Sequence, residues 1–151
     1  MKTDRIEKSI LKFQSGSSCA QAVLSTYLPL LGISQSTAYK MGAGLGGGIG
    51  GKQYICGALN AGVIVLSTKF GNETVVDSDQ KEVSVRLARK LVEEFEQKFG
   101  SAQCLEVIGF DLKSEDGKKK AAEAEISRKV CDPCVEYVCQ YLENVVVQEK
   151  T

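Results

Sequence analysis

Histidine is absent from the 151-residue sequence, and its absence excludes several kinds of catalytic and metal site. Without histidine the chain cannot form a Cys–His nucleophile pair, a Cys₃His zinc site, a Rieske centre or a His-ligated haem. A CxxCH haem attachment motif is also missing. Any chemistry must therefore use thiolates, carboxylates, amines, hydroxyls or backbone amides.

The chain also lacks an excess of charge and a long apolar segment. Nineteen basic residues balance nineteen acidic residues, so net charge favours neither nucleic acid nor an anionic membrane as a partner. The longest apolar stretch, residues 58–67, is too short to cross a bilayer, and the N-terminus has no apolar core of signal-peptide length. We therefore expect no membrane insertion and a cytoplasmic location, where cysteines serve metals or redox exchange more often than stable disulfides.

The spacing of apolar residues predicts one all-α domain over residues 1–151, a single helical bundle without repeats or linkers. Helices are expected at residues 3–13, 19–31, 35–43, 54–70, 77–99, 104–108, 118–126 and 133–147. The predicted N-caps are Thr3 or Asp4, Ser17 or Ser18, Ser34, and Asp132 before Pro133. A strand over residues 63–66 is the rival interpretation of the fourth helix, because this run is short and β-branched.

The helix over residues 77–99 has the strongest signal. Its apolar residues keep a helical spacing, with charged residues elsewhere: Val83, Leu87, Leu91, Phe95 and Phe99. This stripe faces either the core or a partner, and a homodimer is expected in the second case.

Seven of the ten residues in segment 42–51 are glycine. Such a density indicates positive φ angles or a close approach of the backbone to another group. The segment matches GxGxxG and GxxxxGK, but a helix rather than a strand precedes it, and Gln53 stands where the second motif needs Ser or Thr. We therefore expect close backbone approach rather than a phosphate-binding loop.

Six cysteines need an explanation. Four of them lie at or near predicted helix starts: Cys19, Cys56, Cys104 and Cys131. The macrodipole and free amides at such ends lower the pKa of a thiol. Cys131 and Cys134 form a CxPC motif like that of thioredoxin-type oxidoreductases, although no βαβ pattern surrounds it. Cys139 shares an apolar stripe and is expected to be a small buried residue. The spacing leaves open one shared four-thiolate site or four unrelated thiols.

Several short motifs of this sequence occur together in an order that is known from a protein family. Residues 18–23 read SCAQAV, residues 46–48 are glycine, residues 56–58 read CGA, residues 99–101 precede Cys104 as FGS, and residues 129–131 read KVC. Together these motifs resemble the C_GCAxxG_C_C family of redox-active proteins over nearly the whole chain. The resemblance implies that the four family cysteines are Cys19, Cys56, Cys104 and Cys131, and that Cys134 and Cys139 depart from the core pattern.

The leading hypothesis is electron transfer through a Cys-ligated iron–sulfur cluster, with an unidentified redox partner protein. The expected redox-active thiols and ligands are Cys19, Cys56, Cys104 and Cys131, with Cys134 as a further candidate ligand. The residues expected to contact the cofactor are Gly46, Gly47, Gly48 and Gly57 through close backbone approach, and Lys52 through charge compensation.

Three other hypotheses stay open at this point. Thiol–disulfide exchange would use a pair such as Cys131–Cys134 or Cys19–Cys56. Four thiolates would also suit a structural zinc ion. A helical interaction module with inert buried thiols is the third.

Overall fold

The computed structural model describes residues 2–150, in which eight α-helices are joined by turns and short irregular segments. In chain order they are α1 (Asp4–Gln14), α2 (Cys19–Tyr27), α3 (Gln35–Gly42), α4 (Gly57–Phe70), α5 (Ser78–Phe99), α6 (Cys104–Ile108), α7 (Glu115–Glu123) and α8 (Asp132–Leu142). A 3₁₀ turn over Leu28–Leu31 follows α2, and π-helical turns over Ser127–Cys131 and Glu143–Val147 flank α8. These residues contain no strand, so the predicted all-α fold is confirmed and the rival strand at residues 63–66 is wrong.

Most predicted helix ends agree with the structure because they depend on local chemistry. The hydroxyls of Thr3, Ser18 and Ser34 each accept a hydrogen bond from a backbone N–H in the first turn of the helix that follows. Gly100 and Gly109 end α5 and α6 with φ angles of 84° and 80°, in the left-handed region that glycine adopts without a steric cost.

Helix α4 contacts α2, α5 and α8, and small residues let these helices approach it closely. A Cβ atom on Gly62 would lie 2.7 Å from Val138 Cγ1 and 2.9 Å from Leu91 Cδ2. The helix begins at Gly57, three residues later than predicted, because the chain before it is extended. There the Cys104 N–H donates to the Tyr54 carbonyl, which ties this extended segment to the start of α6.

The apolar stripe of α5 faces the core of this chain. Leu87, Leu91 and Phe95 are almost completely buried, and Val83 and Phe99 pack against the core from its edge. The stripe therefore supplies no free surface for a homodimer, and the oligomeric state stays a prediction. Among residues 2–150, no helix combines the length and the hydropathy needed to cross a membrane.

A partly buried ion pair joins the two ends of the chain. Arg5 donates from Nε and Nη2 to the Glu143 carboxylate at 2.7 and 3.0 Å, and the Tyr27 hydroxyl donates to the same carboxylate at 3.0 Å. Burial alone would raise the pKa of Glu143, but these donors hold its pKa below the ordinary value. The pair fixes α1 against the π turn that follows α8.

The glycine-rich segment folds into consecutive turns between α3 and the extended residues before α4. Its left-handed glycines are Gly47, Gly48, Gly50 and Gly51, and Ile49 shares their conformation with a φ of 66°. A Cβ atom on Gly46 would lie 2.6 Å from Ser18 Cβ, so the segment packs directly against the start of α2. Because α3 precedes it, the strand required by both nucleotide-binding motifs is missing.

Candidate functional site

Five of the six cysteines line one cavity of about 200 Å³, which we call the thiol cavity. They are Cys19, Cys56, Cys104, Cys131 and Cys134, and all are free thiols. The remaining wall is largely apolar and includes Phe13, Val107, Ile108 and Leu112. The structure thus brings the four family cysteines and Cys134 together, while their roles as redox-active thiols or metal ligands stay predictions.

The Cys19 thiol lies in the first turn of α2, where three backbone N–H groups reach it. These donors come from Gly47 in the glycine-rich segment, from Ala20, and from Ala58 in the first turn of α4. Burial, and then the neighbouring Cys56, raise the pKa of Cys19 to about 11, although the N–H groups partly offset both effects. The Gly47 amide of the glycine-rich segment therefore approaches the Cys19 thiol, while its predicted contact with a cofactor stays a prediction.

Cys56 differs from the other thiols because its pKa is lowered. The largest cause is a hydrogen bond from Cys134, which outweighs burial, and the N–H groups of Leu59 and Ala58 at the start of α4 add to it. The same bond raises the pKa of Cys134, together with burial and the charge of Cys56. Of these two thiols Cys56 therefore loses its proton more readily, and Cys134 is the hydrogen-bond donor to it.

Cys104 is positioned by Gln53, a residue that sequence reasoning treated only as a mismatch to a phosphate motif. The Gln53 side chain is buried; it donates to the Phe110 carbonyl at 2.9 Å and accepts from the Leu112 N–H at 2.8 Å. It also hydrogen-bonds to Cys104. Burial and the charges of the other thiols raise the pKa of Cys104 to about 11. Gln53 lies outside the helices, and its φ of 58° is uncommon for glutamine. Helical periodicity and residue propensity therefore could not identify it as a site residue.

Cys131 lies in the π-helical turn before α8 and not at a helix start. The backbone of Asp132 is helical, so its predicted role as N-cap is wrong, and the helical segment already begins near Ser127. Burial, together with the charges of the other thiols, raises the pKa of Cys131 to about 12. A π turn inside a helix often occurs at a functional site, because the extra residue reorients the side chains around it.

The other candidate residues fall into two groups. Gly47 and Gly57 line the thiol cavity, and a Cβ atom on Gly57 would lie 2.5 Å from the Cys19 sulfur. Gly46, Gly48 and Lys52 do not line it. The Lys52 ammonium lies 5.8 Å from the centre of the Tyr54 ring instead.

Cys139 points elsewhere, as its apolar stripe predicted. It is fully buried in the hydrophobic core, and burial raises its pKa to about 12. It thus provides a matched internal control for experiments on the thiol cavity.

The five thiols of the thiol cavity surround a space and do not converge on one point. Among residues 2–150, no three cysteine, aspartate or glutamate side chains form a group that could hold a metal ion.

In a comparison with known protein families, the model of the family described as "Putative redox-active protein (C_GCAxxG_C_C)" matches residues 17–145. The chain belongs to this family. Neither the curated proteins nor the solved structures include a match. The C_GCAxxG_C_C match includes all five thiols of the cavity.

Proposed function

We propose that the protein transfers electrons through an iron–sulfur cluster bound in the thiol cavity. The observation that carries this proposal is the arrangement of the four family cysteines around one cavity, each on a different segment of the chain. Iron–sulfur clusters take four cysteine ligands, so this donor set fits the group. The ligands in this proposal are Cys19, Cys56, Cys104 and Cys131.

The size of the cavity favours a group of several atoms over a single ion. Its volume of about 200 Å³ is more than ten times the ~10–15 Å³ that one water molecule needs. Structural zinc requires four ligands converging on one point, with bonds of roughly 2.0–2.3 Å. The described thiols stand around a space instead, which supports the cluster over zinc.

The residues around the thiols would bind the cluster and tune its reduction potential. When bound, the cluster would carry one electron. Backbone N–H groups of Gly47, Ala20 and Ala58 donate to Cys19, and such bonds to ligand sulfurs raise the reduction potential. Cys134 would act in the same way on Cys56. The apolar wall limits the access of water, and a partner redox protein would donate or accept the electron.

Thiol–disulfide exchange is a second candidate, favoured by the hydrogen bond between Cys134 and Cys56. The Cys56 thiolate would attack a disulfide of a partner and form a mixed disulfide, releasing one partner thiolate. Deprotonated Cys134 would then attack the Cys56 sulfur and release the second partner thiolate. The partner disulfide is reduced to two thiols, and a Cys56–Cys134 disulfide forms. This pair differs from both pairs suggested by the sequence.

The two candidates are separated by iron and acid-labile sulfide measured on protein purified without oxygen. Under the cluster proposal, alanine at any of the four ligand positions should abolish the iron, whereas Cys134→Ala and the core control Cys139→Ala should retain it. Wild-type protein free of iron and sulfide would refute the cluster. Exchange would then predict two thiols that disappear on oxidation, and a mixed disulfide that Cys134→Ala traps.

A further inference from the structure

A second cavity adjoins the thiol cavity, and we call it the outer cavity. It has a volume of about 510 Å³ and shares four lining residues with the thiol cavity: Ile108, Leu112, Ser127 and Cys131. Small-molecule sites in proteins typically have volumes of ~300–1,000 Å³. The outer cavity therefore has the size of a ligand site, and the end that it shares with the thiol cavity includes Cys131.

The outer cavity combines apolar and positively charged side chains, which suits an organic anion with an apolar body. Its floor contains Ile108, Leu112 and Ala121, and its rim carries the cations Lys118 and Arg128. Arg128 makes no salt bridge with any of residues 2–150, and Lys118 has only a 3.5 Å contact with the exposed Glu115.

One carboxylate also belongs to the rim, but its charge is already paired. Glu125 lies 3.0 Å from the Lys129 ammonium. The rim therefore keeps an excess of positive charge, which attracts an anion. Glu125 also has a φ of 53°, a conformation uncommon outside glycine, and such backbone strain concentrates at functional sites.

We propose that the outer cavity binds a small organic anion, with its apolar body on the Ile108–Leu112 floor, its anionic group at Lys118 and Arg128, and one end beside Cys131. The inference goes beyond the proposed function, because binding here requires neither a cluster nor a disulfide. Within either candidate function, such a ligand would lie directly beside the thiol cavity.

The test uses two dyes with the same ring system, 8-anilinonaphthalene-1-sulfonate and the uncharged N-phenyl-1-naphthylamine, titrated into the full chain by fluorescence. We expect saturable binding of one sulfonate per chain. The double variant Lys118→Gln/Arg128→Gln should weaken the sulfonate roughly tenfold, a loss of ~1.4 kcal/mol of binding free energy, because exposed ion pairs are weak, and should leave the uncharged dye unchanged. Lys119→Gln, on the same helix but outside the cavity, is the charge control.

Ala122→Trp provides an independent test, because Ala122 is exposed at the cavity wall and a large side chain there fills the space without disturbing the core. It should abolish binding of both dyes while the circular dichroism stays native. In reduced, metal-free protein, the sulfonate should also slow the alkylation of Cys131 by iodoacetamide. Equal binding by the double variant and wild type, or retained binding in Ala122→Trp, would overturn the inference. Neither result depends on iron content, so each proposal can fail alone.

Discussion

Gly57→Ala adds one methyl group at the start of α4, at the point where that helix meets Cys19. The new Cβ atom would lie 2.5 Å from the Cys19 sulfur and 2.9 Å from the Leu45 carbonyl oxygen. Because the φ of Gly57 is not in the left-handed region, this crowding, and not backbone strain, decides the outcome. An optimal contact is about 3.5 Å, so the sulfur must move by about 1 Å, and the free space for it is the thiol cavity.

The expected loss of stability is modest. Overpacking costs ~1–3 kcal/mol, and the better helix propensity of alanine offsets up to ~1 kcal/mol, so the free energy of unfolding should fall by about 1–2 kcal/mol. The effect on the site should be larger, because the displaced sulfur loses its N–H donors from Gly47, Ala20 and Ala58. We therefore expect less iron per chain after anaerobic purification, and faster alkylation of Cys19 in metal-free protein.

Gly62→Ala is the matched control on the same helix. Its Cβ atom would lie 2.7 Å from Val138 Cγ1, so the crowding is similar, but the neighbours belong to the core and not to a thiol. This variant should lose comparable stability while keeping wild-type iron content and Cys19 reactivity. Denaturant titration and peptide-level mass spectrometry measure the two quantities. If both variants change the Cys19 reactivity equally, or if neither does, the assigned role of Gly57 is refuted.

Three further predictions follow from contacts around the site and at the chain ends. Cys134→Ala removes the hydrogen bond to Cys56, so in metal-free reduced protein the pH midpoint for Cys56 alkylation should rise from about 7 toward that of an ordinary thiol; an unchanged midpoint would contradict the pairing. Gln53→Leu leaves two partly buried backbone groups, the Phe110 carbonyl and the Leu112 N–H, without their partner and should lower the free energy of unfolding by about 2 kcal/mol. A loss below 1 kcal/mol in denaturant titration would argue against the bridging role of Gln53. Arg5→Met leaves the buried carboxylate of Glu143 without its cation and should cost about 3 kcal/mol, at the low end for buried pairs because Arg5 is 37% exposed. The pKa of Glu143 is depressed in the folded protein, so its ionised carboxylate stabilises the fold above the ordinary pKa of glutamate, and this stabilisation is lost as the pH falls through the folded pKa. Glu143→Gln should therefore flatten the acid limb of the curve of unfolding free energy against pH.

The sequence predicted the helices well, since their signals are local. The apolar spacing in α5, the capping hydroxyls of Thr3 and Ser18, and the terminating glycines act within a few residues, and each agrees with the structure. One error also has a local cause. The pattern Asp132-Pro133 is typical of a helix start, but here the π turn places it inside a longer helical segment.

The sequence alone determined which residue types the site has available: histidine is absent, and six cysteines are present. It also identified the family cysteines, because their flanking motifs are short and contiguous. Only the tertiary structure decided which thiols meet. The hydrogen bond between Cys56 and Cys134 and the bridge made by Gln53 to Phe110 join residues far apart in the chain, and helical periodicity carries no information about such distances. The packing of α2, α4 and α8 sets those distances.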